Sequence, residues 1–344
     1  MKKKNIAAVA KASTLLACAP MMLASGPAPI ADVAEVTTDY GLNVEEGKTV
    51  EYNRVANVTG EFSFDQNVVT PSDKVFSLFG TAATAMCATP GYAFGDAAYE
   101  DYYVTVNGGM EKAYTISLDE MREQETRSIM KCSCSTSGSV ANAQIVGVPL
   151  ESLINMDDID ESINTVTVRG SDGYGKALPL KLAVEKGAML VYNVGGEGLR
   201  PENGGPVQLW MPGVVASYFT RQVTEIELTA EAETPALEIA APDQRAKINI
   251  LNQIGDATFK AGDLLTFEGY ADDCGSVVAA VEFSMDGGET WTACSTEGAT
   301  ADKWVYWYFG YVPEEAGTYK LEVRARTADD TVSPLSSSVV FTVE

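Results

Sequence analysis

The 344-residue chain contains no histidine, has half as many basic as acidic residues (24 against 48), and shows no long apolar run beyond residue 31. Each absence excludes something. Without histidine there is no imidazole for a zinc site or a serine triad, and neither a Cys-x-x-Cys pair nor a glycine-rich phosphate loop ending in Lys-Ser/Thr takes its place. A net charge of -24 makes nucleic acid and anionic lipid poor partners. No later segment approaches the roughly 20 apolar residues that a permanent membrane helix needs, so no membrane span is expected.

What is present begins with Met1-Lys2-Lys3-Lys4, an apolar small-residue run from Ala12 to Ala24, and Ser25-Gly26-Pro27-Ala28. This pattern predicts an export signal over residues 1–31 and an extracytoplasmic protein, secreted or on the cell surface. Leu15-Leu16-Ala17-Cys18 resembles a lipobox, so a lipid anchor through Cys18 is the alternative to free secretion. No twin-arginine pair precedes the apolar run, which bears on any cofactor inserted in the cytoplasm, because threaded export carries unfolded chains. Removal of the signal takes four lysines and leaves 20 basic residues against 48 acidic ones, a net charge near -28. Such a surface suits solubility in an external medium, and equally a match to a basic electron-transfer protein such as a small cytochrome.

The length suits two domains. Residues 32–100 form an acidic lead-in and the start of the first domain, with Glu61 to Phe94 left without an assignment. From Tyr102 the signals sharpen. Tyr102 to Val106 and Ala113 to Ile116, separated by Asn107-Gly108-Gly109, predict a hairpin. Ser117 with Glu120 three residues later is a capping-box pattern that opens a short helix. The stretch from Ser128 to Cys132 leads into a serine-rich loop, and Pro149 suits the first turn of a helix. Asn164 to Arg169 and Met189 to Tyr192 are strand-like, with a helical stretch from Leu180 to Val184 between them. An acidic linker falls near Leu228 to Pro242. Beyond it every signal is β: Leu264 to Gly269, Val277 to Met285, Thr290 to Cys294, Trp304 to Tyr311, Gly317 to Arg326 and Ser336 to Val343, with a turn at Asp286-Gly287-Gly288. The expected fold class is α+β, a mixed domain over 101–230 followed by an all-β immunoglobulin-like sandwich over 240–344. Paired acids such as Asp157-Asp158 and Asp272-Asp273 are expected in solvated loops.

Several segments together resemble the sulfite oxidase-type family of molybdopterin-dependent oxidoreductases. They are Leu190-Val191-Tyr192-Asn193-Val194-Gly195-Gly196, Gly204-Gly205-Pro206-Val207, Met211-Pro212-Gly213 and Asp172-Gly173-Tyr174. The stretch Val281 to Trp291, with Trp304, Trp307 and Gly317 to Ala325, is similar to that family's dimerisation domain. The resemblance covers the chain from about Tyr102 to the C terminus. It implies molybdopterin with molybdenum as cofactor and two-electron oxygen-atom transfer on a small-molecule substrate. It also implies a homodimer formed through the C-terminal domain. By the same resemblance, a cysteine thiolate before Gly147-Val148-Pro149-Leu150 binds the metal. Cys132, at the end of the strand-like stretch that contains Ile129-Met130, is preferred, and Cys134 is the other candidate. A soft thiolate suits a redox metal. Tyr192 takes the place of an active-site tyrosine able to donate to a metal-bound oxygen. Arg221 falls near the pterin, and Asn203 stands where the pattern favours histidine.

The departures carry information too. Gln208 and Tyr218 replace expected basic residues, and Ser135-Thr136-Ser137 follows the cysteine where basic residues are expected. Lys131, Arg169, Arg200 and Arg221 are too few to clamp a dianionic sulfur oxyanion, which argues against sulfite as substrate. A cofactor-free extracellular binding or assembly module on the same scaffold is the competing reading. Without the signal, five cysteines remain, an odd number. Cys274 and Cys294 flank a hairpin and are candidates for a bridge; Cys87 can pair with Cys134, leaving Cys132 free, or with Cys132, consuming it.

Overall fold

A computed structural model describes residues 37–38, 50–75, 101–136, 138–254 and 257–344. The export segment, Cys18 and Cys87 lie outside the described residues. Strand β1 (Glu61–Asp65) comes from the stretch without a sequence assignment, and it joins the C-terminal region, with Phe62 and Phe64 opposite Phe309 and Trp307.

The expected hairpin is present as β2 (Tyr103–Asn107) and β3 (Tyr114–Ser117). Helix α1 (Leu118–Arg122) follows, closed by the predicted box. The Ser117 hydroxyl accepts from the Glu120 backbone at 3.2 Å, and the Glu120 carboxylate accepts from the Ser117 backbone at 2.8 Å. Next come β4 (Thr126–Ser133) and β5 (Val140–Pro149). β5 was not foreseen, because eight of its ten residues are fully buried and the chain has no apolar-polar alternation to mark it. Then follow α2 (Leu150–Leu153), β6 (Thr165–Gly170), β7 (Ala177–Pro179), α3 (Leu180–Glu185), β8 (Met189–Val194), β9 (Gln208–Trp210) and β10 (Val223–Thr229).

These strands make two sheets. One runs β9-β8-β5-β4, antiparallel throughout; the other runs β3-β2-β10-β6-β7, with β2 and β10 parallel. Their inner faces meet in one apolar core, in which Ile145, Val148 and Leu190 pack with Val104, Val168 and Ile226.

Apart from three two-residue strands, the remaining strands are β11 (Lys247–Ile250), β12 (Leu265–Asp272), β13 (Val278–Ser284), β14 (Thr292–Ser295), β15 (Val305–Tyr311), β16 (Gly317–Thr327) and β17 (Ser337–Val343). They form the sheets β11-β12-β15-β1 and β17-β16-β13-β14. Period-two patterning in β16, whose alternate residues Tyr319, Leu321, Val323 and Ala325 are buried, gives the sheet one apolar face. That face packs on Phe267, Trp307 and Phe309 of the facing sheet, and the Phe283 and Phe309 rings stack 4.0 Å apart. Gly287 and Gly288 take positive φ values of 77° and 80°, as the tight β13–β14 turn requires. The chain is thus mostly β with short helices, a β-rich form of the expected mixed class.

A small cluster of Val140, Tyr270, Trp304 and Tyr306 links the two cores. Beside it, the Lys131 backbone N–H donates to the Asp302 carbonyl at 2.9 Å. The cysteine-bearing strand β4 therefore runs along the seam between the two halves.

Candidate functional site

Alternation along β4 turns Lys131 and Ser133 to one face and Cys132 to the other. Cys132 faces the apolar core of the first half with 4 % of its surface exposed. Cys134, half-buried, lies just beyond the strand, its sulfur 3.5 Å from the Thr136 hydroxyl.

On the other face the charges are all engaged. The Lys131 ammonium donates to the Asp272 carboxylate and to the Asp273 carbonyl. Ser133 donates to the other Asp272 oxygen at 2.7 Å, and the Lys247 ammonium donates to Ser133 at 3.0 Å and to the Cys134 carbonyl at 2.5 Å. The Cys274 thiol donates to the Ser133 hydroxyl at 2.9 Å. Burial would push the Asp272 carboxyl up, but the ammonium groups of Lys131 and Lys247 and the hydrogen bonds of Lys131 and Ser133 outweigh it and hold it below the usual carboxylate range. Asp273 is held in turn by Arg245, at 3.1 and 2.8 Å, and by the Ala246 backbone at 2.8 Å.

The solvated-loop expectation for Asp272-Asp273 is therefore corrected: both carboxylates are fully buried. The reason is tertiary, since Lys131 reaches Asp272 from 141 residues away and Lys247, on the paired strand, adds its charge nearby. Asp157 and Asp158 are exposed, as expected. The proposed Cys274–Cys294 bridge is also corrected. Both are free thiols among the described residues; Cys274 packs with the first core and Cys294 against the second. Pairings with Cys87 lie outside the described residues.

The other site candidates fall in two places. Arg221 is buried just before β10, and its aliphatic stem lies over Gly204, 2.7 Å from where a β-carbon would stand. Asn203, next to Gly204 in a single 3-10 turn, accepts at its carbonyl from the Gln208 side chain. Arg221 and Asn203 thus share one corner. The residue after Arg221, Gln222, is buried with a positive φ of 40°, a conformation that non-glycine residues rarely adopt. Nothing in the sequence announces that strain.

Tyr192 lies elsewhere. It occupies the bulge opposite Val146 and Gly147, whereas Cys132 pairs with Ala141. The five residue steps from Ala141 to Val146 span about 17 Å of strand. The Tyr192 hydroxyl donates to the Glu125 carboxylate at 3.3 Å, and burial together with Glu125 pushes the phenol up to about 12. The structure does not bring Tyr192 to Cys132.

One cluster escaped the sequence reading. Lys176 donates to the Ser217 hydroxyl at 3.1 Å and to Glu238 at 2.5 Å, while Tyr174 donates to the Ser217 carbonyl at 2.6 Å. Glu238 comes from the linker, so only the folded chain reveals it.

A bound molybdenum–pterin group can be tested against these donors. A buried soft thiol in an apolar wall suits the metal. The loop at Gly213, with φ of 72° and no atom within 4 Å of a would-be β-carbon, leaves backbone open to a ligand. These two features fit. Cations for a sulfur oxyanion do not: Lys131 is on Asp272, Arg169 on Glu227 at 2.7 Å, and Arg200 near Glu197 at 3.6 Å.

Residues 93–236 match the oxidoreductase molybdopterin binding domain family. Mitochondrial sulfite oxidases are similar, that of Macaca fascicularis at 26 % identity over 46 % of this chain and 34 % of its own length, and that of Rattus norvegicus at 26 % over 47 % and 36 %. This chain therefore spans about a third of the length of these curated relatives. The NADPH nitrate reductase of Beauveria bassiana is 23 % identical over 37 % of this chain and 17 % of its own length. Among solved structures, the sulfane dehydrogenase SoxCD from Paracoccus pantotrophus superposes with a TM-score of 0.59 at 19 % identity, over 88 % of this chain and 86 % of that one, which shows a shared fold. Residues 93–236 thus carry the likeness to the oxidoreductase molybdopterin binding domain family, and the sequence there is similar to that of sulfite oxidases.

Proposed function

We propose that this protein is an exported molybdopterin-dependent oxidoreductase of sulfite oxidase type, acting by two-electron oxygen-atom transfer on a small substrate other than sulfite. The observation that supports it most is the buried thiol of Cys132 at the end of β4, in a domain that matches a molybdopterin-binding family. Cys132 is the metal ligand in this reading. Arg221 and Asn203 hold the pterin, and the open backbone at Gly213 lets it approach. When bound, the molybdenum and its dithiolene supply the redox chemistry. The chain supplies a thiolate, hydrogen-bond donors and exclusion of water. Tyr192, about 17 Å of strand away from the level of Cys132, is left out of this set.

The substrate is a neutral or singly charged molecule, because Lys131, Arg169 and Arg200 already sit against carboxylates of the chain. Electrons leave to a separate, basic electron-transfer protein attracted by the acidic surface. The C-terminal sandwich, immunoglobulin-like in this reading, forms a homodimer. Among the described residues no helix is long and apolar enough to cross a membrane. The test is elemental and pterin analysis of protein purified from its native host. Stoichiometric molybdenum with a fluorescent oxidised pterin is expected; a fully folded sample lacking both would overturn the reading.

A further inference from the structure

The two side chains that flank Cys132 are both held by one residue of the other half of the molecule. Asp272 accepts from Lys131 on one carboxylate oxygen and from Ser133, at 2.7 Å, on the other. Lys247 closes the arrangement through Ser133 and the Cys134 carbonyl, so the backbone on the far side of Cys132 is fixed as well. The participating groups are almost wholly out of water: Lys131, Ser133, Lys247 and Asp272 are all buried. In such surroundings hydrogen bonds to charged groups are short and directional, and they tolerate little displacement.

We infer that Asp272 is a positioning residue for the Cys132 thiol, and that the C-terminal sandwich thereby completes the candidate site in the first half. The physical reason is leverage. A strand residue cannot rotate its side chain to a new face without moving its neighbours, because successive side chains are locked to opposite faces. Gripping residues 131 and 133 from one side fixes where residue 132 points on the other. The Cys274 thiol, bonded to Ser133 at 2.9 Å, adds a further tie from the same sandwich. The inference rests on the reading of Cys132 as the metal-binding thiol, yet it concerns thiol placement and is measurable without metal.

The experiment follows iodoacetamide alkylation of the intact, cofactor-free chain under native conditions by peptide mass spectrometry, with Cys294 in β14 as the reference thiol of the same molecule. In the wild type Cys132 reacts slowly. Asp272→Asn leaves two buried ammonium groups without their carboxylate, and Cys132 is expected to react about tenfold faster while Cys294 changes less than about twofold, as local opening requires. Lys131→Gln combined with Asp272→Asn replaces the ion pair by two amides that can bond to each other, and the Cys132 rate is expected to return most of the way to wild type. Should Asp272→Asn fail to fold, Ser133→Ala removes one hydrogen bond only and is expected to accelerate Cys132 about threefold, again selectively. Equal acceleration of Cys132 and Cys294, no acceleration in a folded variant, or no rescue by the double substitution would overturn the inference. Because the readout needs no molybdenum, its failure is distinguishable from failure of the functional reading.

Discussion

The two ends of the sheet that carries Cys132 and Tyr192 use the same chemical vocabulary with opposite consequences. At the Cys132 end, Lys131 and Asp272 meet at 4 % and 0 % side-chain exposure, locked to Ser133 and Lys247. At the Tyr192 end, Arg127 and Glu125 meet at 3.2 Å with 70 % and 41 % of their side chains exposed. Water screens the second pair and is absent from the first. Burial, more than the identity of the pair, decides which charges fix the fold, and here the buried set lies where the two halves join beside the candidate ligand.

The comparison breaks if removing the buried carboxylate is mild. Asp272→Ala strands two buried ammonium groups and should destabilise the protein by about 3–5 kcal/mol, read from urea or thermal unfolding. The pH dependence sharpens the point. Asp272 has its folded carboxyl below the unfolded value, so its contribution is complete above the unfolded pKa of about 4 and is lost as pH falls through the folded one. Asp272→Asn should therefore show a shallower loss of stability than the wild type when acid melts are compared from pH 5 downwards. Ser117→Ala, which removes an exposed helix cap in the first half, should cost roughly 1 kcal/mol in the same assay. Arg127→Ala should change stability by only a few tenths, about 0.5 kcal/mol at most, as a screened surface pair allows. A large effect from Arg127→Ala would erase the distinction between the two ends.

Much of this architecture is visible in the sequence, for stated physical reasons. The Ser117–Glu120 cap, the Asp286-Gly287-Gly288 turn and the alternating β16 are local signals, and each folds as its pattern requires. β5 was invisible because both its faces are covered. β1 was invisible because its partner β15 lies more than two hundred residues on. The site divides the same way. Cys132, the proposed ligand, is buried in the first core, whereas Asp272-Asp273, expected in water, is buried by partners that sequence spacing cannot connect. Tyr192 shows the converse, since its motif was recognisable but strand register carries it to the other end of the sheet. Long-range pairing of charges and register across strands are settled by packing, and neither leaves a periodic trace.

The most direct test compares molybdenum in three full-length proteins purified from the native host: wild type, Cys132→Ser and Cys134→Ser. Serine preserves size and removes the soft donor. Wild type and Cys134→Ser are expected to carry molybdenum in similar amounts, and Cys132→Ser essentially none while remaining folded. Molybdenum retained by Cys132→Ser and lost from Cys134→Ser, or absent from all three folded proteins, would contradict the assignment of Cys132 as the metal ligand.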